Sequence, residues 1–213
     1  CRNLLDQTKK PVRFKNQQII HMKIDYFEPG AVYHVFNRGN NKEDIFKEEK
    51  NYQYFLSLLQ KHVLPVAEIY AYSLLKNHFH LVVRMRDVDL LDDKYKTKPY
   101  LGFSNHFNAY TKSINKMYHR TGSLFQEHLH RKRVEDEEYL KQLIAYVHLN
   151  PLKHEFTDDF RNYKYSSFKA YVSGKPTNIS CDYVMSLFGD KANFEYWHNM
   201  NKQVFEDNIE DIE

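Results

Sequence analysis

An α+β fold built on an antiparallel sheet, in the order β-α-β-β-α-β-α, is what this sequence predicts, and three observations carry it. Several short runs rich in Val, Tyr and Phe alternate apolar with polar residues, which is the strand period. Three longer segments instead space their apolar residues three and four apart, which is the helix period. Glycine and proline are scarce, six of each in 213 residues, so regular elements dominate and the turns between them are few.

The elements follow in order. "AVYHVFNRG" (31–39) reads as a strand ending at Arg38-Gly39. In "FKEEKNYQYFLSLLQKHV", Tyr52, Phe55, Leu56, Leu59 and Val63 fall at helical spacing, and Glu48 and Glu49 suit the positive amino end of a helix. Pro65 stops it. Residues 66–75 and 79–85 read as two strands joined by a tight turn at Lys76-Asn77. After a polar loop, a helix over 103–119 carries Phe103, Phe107, Tyr110, Ile114 and Met117 on one face, with Gly122 as its carboxyl cap. "SLFQEHLHRKRV" (123–134) makes a fourth strand. Asp136 then caps "DEEYLKQLIAYVHL", a helix that should end near Asn150 because Pro151 follows. The whole matches a split-βαβ, ferredoxin-like or RRM-like sheet with one extra helix. It occupies residues 26–154, between a polar, basic amino-terminal arm (1–25) and a mixed carboxyl-terminal extension (155–213).

Composition excludes several classes. Cys1 and Cys181 are far apart and in no metal-type spacing, which argues against a disulfide framework or a thiolate zinc site. No apolar run is long enough to span a bilayer and no signal-peptide pattern opens the chain, so a cytoplasmic protein is expected. The closing "EDNIEDIE" holds five acids, so the remaining residues carry +8 although the chain totals +3. A basic body with an acidic tail hints at a polyanionic partner. The 17 tyrosines and 15 phenylalanines suit stacking on bases, although an aromatic-rich core is the plainer reading.

Three constellations could carry chemistry. In "NHFHLVV", His78 and His80 share one face of a strand, while Phe79, Leu81 and Val83 line the other. Neutral imidazoles side by side could chelate a divalent metal, or be histidines satisfied within a core. On the last helix, Leu140, Leu143, Ile144 and Val147 form a core stripe. Tyr146 and Asn150, four residues apart, lie together on its flank. A phenol is a conceivable nucleophile and an amide oxygen a conceivable ligand; an amphipathic tyrosine and a helix-ending asparagine are the plainer reading. Finally, Arg131, Lys132 and Arg133 close the fourth strand, while Lys112, Lys116, His119 and Arg120 lie on the preceding helix. Such clusters are solvated surface or phosphate contacts.

"NHFHLVV", "GSLFQEHLHRKRV" and "YVHLNPLKH", in that order and spacing, resemble the single-tyrosine HUH transposases of small insertion sequences and their domesticated relatives associated with repetitive extragenic palindromes. "YHVFNRGNNKEDIF" and "YKYSSFKAY" extend the resemblance over about residues 26–172. It implies the HUH endonuclease fold, with His78 and His80 as the two motif histidines, Tyr146 as the catalytic tyrosine and Asn150 completing a site for Mg²⁺ or Mn²⁺. Asn150, where mobile enzymes have Gln, leans toward the domesticated branch. The implied activity is nicking and rejoining of single-stranded, hairpin-forming DNA through a 5′-phosphotyrosine link, with Arg38, Lys112, Lys116, Arg120, Arg131, Lys132 and Arg133 holding the backbone. Relatives act as monomers or as homodimers that exchange their tyrosine helices, and the sequence leaves that choice open. Two rivals stand beside this reading. A non-catalytic nucleic-acid-binding module would bind without covalent product, although no RNP-like aromatic pattern supports it. A replication initiator or relaxase would often carry paired tyrosines, and no second tyrosine falls four residues from Tyr146.

Overall fold

A computed structural model describes residues 27–207; the expected amino-terminal arm and the tail beyond Asp207 lie outside the described residues. The elements are β1 (Val32–Arg38), α1 (Glu49–Leu58), β2 (Ala67–Leu74), β3 (His78–Met85), the short α2 (Asp93–Lys96), α3 (Tyr100–Met117), β4 (His130–Val134) and α4 (Glu137–Lys153). Three helices follow: α5 (Phe168–Ser173), α6 (Cys181–Phe188) and α7 (Lys191–Asp207). The sheet is antiparallel throughout, in the order β2-β3-β1-β4, so the predicted ferredoxin-like arrangement is the observed one.

Strand alternation decides what each face does. Tyr33, Val35, Phe79, Leu81 and Val83 point to one side and share a core with Phe55 of α1 and Phe103, Tyr110 and Ile114 of α3. The opposite side carries His34, Phe36 and Arg38 of β1 beside Val82, His80 and His78 of β3, their cross-strand partners. Helix α4 crosses that side. Its Leu140, Leu143, Ile144 and Val147 form a second core with Val82 and Val134. Asp136 caps it as expected, accepting from the Tyr139 amide at 2.7 Å.

The carboxyl-terminal extension packs on the outer side of α4 and along the edge of β2. Phe160, Phe168, Tyr171, Val184, Phe188 and Phe194 all belong to the second core. The Leu74 amide donates to Tyr165 O and the Ser167 amide to Tyr72 O, while Ser180 N donates to Ile69 O. An exposed strand edge is a template for unwanted pairing, and here it is covered. Helix α4 is therefore buried on both sides, which explains why every residue from Leu143 to Pro151 is shielded.

Three local expectations are corrected. The fourth strand begins only at His130, not at Ser123. Residues 118–129 form a loop in which His128 takes a left-handed φ of 69°, which no strand accommodates. The left-handed residue that directly follows the end of α3 is His119, φ 52°; Gly122, also left-handed at φ 83°, lies further along the loop. Helix α4 does not stop at Asn150 but runs through Pro151 to Lys153. The missing N–H there forfeits one bond in the final turn, and the ring is itself buried. Among the described residues, no helix is long and apolar enough to cross a membrane.

Candidate active site

The polar half of α4 lies over the polar half of β3. Four helix residues rise about 6 Å and two strand residues advance about 6.6 Å. The Tyr146–Asn150 spacing thus matches the His80–His78 spacing when helix and strand run in opposite senses. The Tyr146 ring stands edge-on to the His80 ring, centroids 5.6 Å apart, and Asn150 Oδ1 lies 3.1 Å from His78 Nε2. The rings of His78 and His80 are 5.3 Å apart and perpendicular. The four residues singled out in the sequence therefore meet in one cluster within a single chain.

Each histidine has a partner for its other nitrogen. His78 Nδ1 lies 2.7 Å from Asn77 Oδ1, and His80 Nδ1 lies 3.0 Å from Nε2 of His34. Burial, reinforced by the charge of Lys132, pushes His34 down to about 3. Burial, reinforced by His154, pushes His78 down to about 4, and burial holds His80 well below its usual range. All three rings are therefore neutral near pH 7.

Neutrality makes the cluster a test of its own ligand chemistry. A carboxamide oxygen only accepts and a neutral imidazole carries one proton; with that proton on Nδ1, at the shorter contact to Asn77, an Nε2 lone pair faces Asn150 Oδ1. Two facing lone pairs are what a shared cation resolves. The other position of the Asn150 amide is buried with no hydrogen-bond partner among the described residues, so either orientation of the amide leaves one of its two atoms unpaired. His80 Nε2 likewise is buried with no hydrogen-bond partner among them. The set His78 Nε2, His80 Nε2 and Asn150 Oδ1 thus fits a divalent ion of intermediate softness. Among the described residues, no group of three or more His, Cys, Asp or Glu side chains is placed to hold a metal, so a third protein donor at this site would be the amide.

The basic residues divide between the two faces. Arg38 and Lys132 project on the His78/His80 side, as partners of His78 and His34 in the strand register. Arg131 and Arg133 pair with Val35 and Tyr33 on the other side, where Arg131 lies over the Phe27 ring and Arg133 binds Glu28. Lys112 and Lys116 are exposed on α3, also beyond the far face of the sheet. Arg120 is tied to Glu43 and to Asn115 Oδ1, the latter at 2.7 Å, and its side chain is only 13% exposed. The seven cations form no common surface.

No protein-family model matches the chain, and no curated protein matches it. Among solved structures, it is similar to a REP-associated tyrosine transposase bound to a REP hairpin, with a TM-score of 0.54. The likeness covers 71% of this chain and 86% of that one, at 17% identity. The two chains share an α+β fold. At that identity the likeness concerns the arrangement of sheet and helices, and the site has to be argued from its own side chains.

Three residues of the cluster escaped the sequence reading. His34 is the partner of His80. Lys153 holds its ammonium 5.7 Å from the Tyr146 ring centroid, and His154 packs edge-on to His78 at 4.7 Å. His34 had a signal, since it shares a strand face with Phe36 and Arg38, but only the β1–β3 register sets it against His80. Lys153 and His154 lie past the proline that was expected to end the helix.

Proposed function

We propose that this chain nicks and rejoins single-stranded DNA in a divalent-metal-dependent reaction, with Tyr146 as the nucleophile. The observation that supports this best is the convergence of Tyr146, His78, His80 and Asn150, drawn from distant parts of the sequence, in one buried cluster of one chain. The fold likeness to a tyrosine transposase solved with a DNA hairpin agrees with it.

His78, His80 and Asn150 would hold Mg²⁺ or Mn²⁺, with Asn77 and His34 fixing the two imidazoles. A bound divalent ion supplies positive charge that polarises a phosphodiester and offsets charge developing on it. The Tyr146 phenolic oxygen attacks phosphorus, its proton passing to solvent. The bond to O3′ breaks and that oxygen takes up a proton. The products are a 5′-phosphotyrosine link and a free 3′-hydroxyl, and a second 3′-hydroxyl reverses the step without a nucleotide cofactor. Because Tyr146 is only 1% exposed, an incoming strand has to uncover it. Lys153, above the ring, is suited to swing onto the arriving phosphate. The same-chain contact with His80 supports attack within one subunit. Arg38 and Lys132 would meet the strand's backbone on this face.

The test is a covalent-adduct assay with a hairpin-bearing single-stranded oligonucleotide and Mn²⁺. Wild-type protein should give a denaturation-resistant band, and Tyr146→Phe none, with binding kept within about twofold. The double variant His78→Ala, His80→Ala should lose manganese-stimulated cleavage. An adduct from the Phe variant would assign the nucleophile elsewhere, and binding without any adduct from the wild type would favour a non-catalytic binding protein.

A further inference from the structure

The three candidate ligands differ in how they are held. His78 has Asn77 behind its other nitrogen, at 2.7 Å, and His80 has His34, at 3.0 Å. Asn150 has no such support, because its Nδ2 is buried without a hydrogen-bond partner among the described residues. A carboxamide that is free at one end can turn about its own axis and present either atom to an ion. Only the oxygen is a ligand.

The hydroxyl of Ser73 is likewise buried with no hydrogen-bond partner among the described residues. Ser73 is fully buried in β2 and stands directly opposite His80 in the strand register. Two residues earlier, Ala71 stands opposite Val82, and both belong to the core beneath α4. Alternation therefore turns the Ser73 side chain to the α4 side, next to His80, with Cβ atoms about 5 Å apart. Helix α4 packs on both β2 and β3 and brings fully buried Asn150 down onto the same rows, its Oδ1 3.1 Å from His78 Nε2. On its outer side Ser73 is bridged to Ser166, whose Oγ already accepts from the Phe168 amide at 3.3 Å.

An unpaired buried hydroxyl costs free energy that an alanine would avoid. The cost disappears once the hydroxyl gains a partner, and the orphan beneath the same helix has the complementary chemistry: Nδ2 only donates, and a hydroxyl oxygen accepts. We propose that Ser73 is a positioning residue of the candidate metal site. When the ion binds, its hydroxyl accepts from Asn150 Nδ2, directly or through one buried water, and so keeps Oδ1 on the metal. The proposal rests on the metal reading of the site and completes it, since each of the three ligands then has one orienting partner.

Calorimetric titration of Mn²⁺ into the whole chain, paired with urea unfolding in EDTA, tests it. Ser73→Ala removes the hydroxyl, and Ser73→Cys keeps the volume but offers only a weak acceptor. Each should lower Mn²⁺ affinity about 10-fold, the smaller end of what an outer partner of a metal ligand supplies. Neither should lower the unfolding midpoint in EDTA, because the hydroxyl has no partner to lose there. Affinities indistinguishable from wild type in both variants would overturn the role of Ser73 and leave the metal site standing. Weaker binding matched by a lower midpoint in EDTA in both variants would overturn it too, as the mark of packing rather than positioning. A wild-type protein that binds no Mn²⁺ overturns the metal reading and the role of Ser73 together.

Discussion

His34 and His80 meet across neighbouring strands, Nε2 of one 3.0 Å from Nδ1 of the other, with their rings near-parallel at 5.2 Å. The hydrogen bond that orients His80 comes from a second imidazole. If His80 binds a metal through its other nitrogen, His34 sets both the tautomer and the aim. Removal of such a supporting partner typically weakens metal binding 10- to 100-fold. His34→Ala should therefore lower Mn²⁺ affinity by about that factor in calorimetric titration, and His34→Gln should recover part of it. Equal affinities in all three proteins would separate His34 from the metal altogether.

The division of the cations predicts two different phenotypes. Arg120→Ala breaks contacts to Glu43 and Asn115 at a mostly buried side chain and should cost about 1–2 kcal/mol in urea unfolding, with little change in DNA affinity. Lys132→Ala should leave the unfolding midpoint within about 0.5 kcal/mol of wild type. It should weaken single-strand binding and reduce the salt slope of log K by about 0.7. The opposite assignment of the two effects would mean that DNA runs over the α3 side.

Acid should destabilise this protein through its buried histidines. Burial pushes His34 and His106 down to about 3 and His78 and His198 to about 4, and holds His80 and His148 well below the usual range. In the unfolded chain each titrates near 6.5. Between those values the unfolded state binds more protons, so stability is full above about pH 6.5 and is lost as the pH falls toward 4. Each ring contributes about 1.4 kcal/mol per pH unit in that window. Urea midpoints measured in EDTA should drop steeply from pH 6.5 to 5, and a flat profile there would show that the rings are not buried in their neutral form.

The extension should be indispensable to folding. The Tyr72 amide donates to Ser167 Oγ at 2.8 Å, which lies 2.8 Å from His148 Nε2; His148 Nδ1 lies 2.8 Å from His198 Nε2, and His198 Nδ1 lies 2.7 Å from Phe194 O. With neutral imidazoles one proton placement satisfies every atom, and the chain of bonds ties β2 through α4 to α7. A chain ending at residue 159 would bare the edge of β2 and the outer side of α4. It should aggregate on expression or melt without cooperativity in circular dichroism. A soluble, cooperatively folding fragment would show that the extension is an independent appendage.

Much of this was legible because local rules and tertiary structure agree. The strands of "AVYHVFNRG" and "FHLVVRM" announce themselves by alternation, and Asp136 caps its helix as its position suggests. Tyr146 and Asn150 could be paired from helix geometry alone. What stayed hidden depends on contacts between distant segments. Nothing local distinguishes Arg120, held by Glu43, from Lys132, because both read as basic surface. Residues 123–129 look like strand but lack a partner for most of their length, so His128 can turn left-handed. Pro151 misleads for a related reason: packing on both sides of α4 outweighs one missing hydrogen bond.

The two-residue period of β1 has a consequence for preparations of the protein. Its odd positions, Tyr33 and Val35, belong to one core, while its even positions, His34, Phe36 and Arg38, face the histidine cluster. A slip of one residue would exchange the two sets. A mispaired sheet would therefore lose its core and its polar cluster together, and a correctly paired one acquires both. The fraction of molecules competent to form an adduct should consequently equal the fraction that is properly folded, so a titration of the one serves as a census of the other.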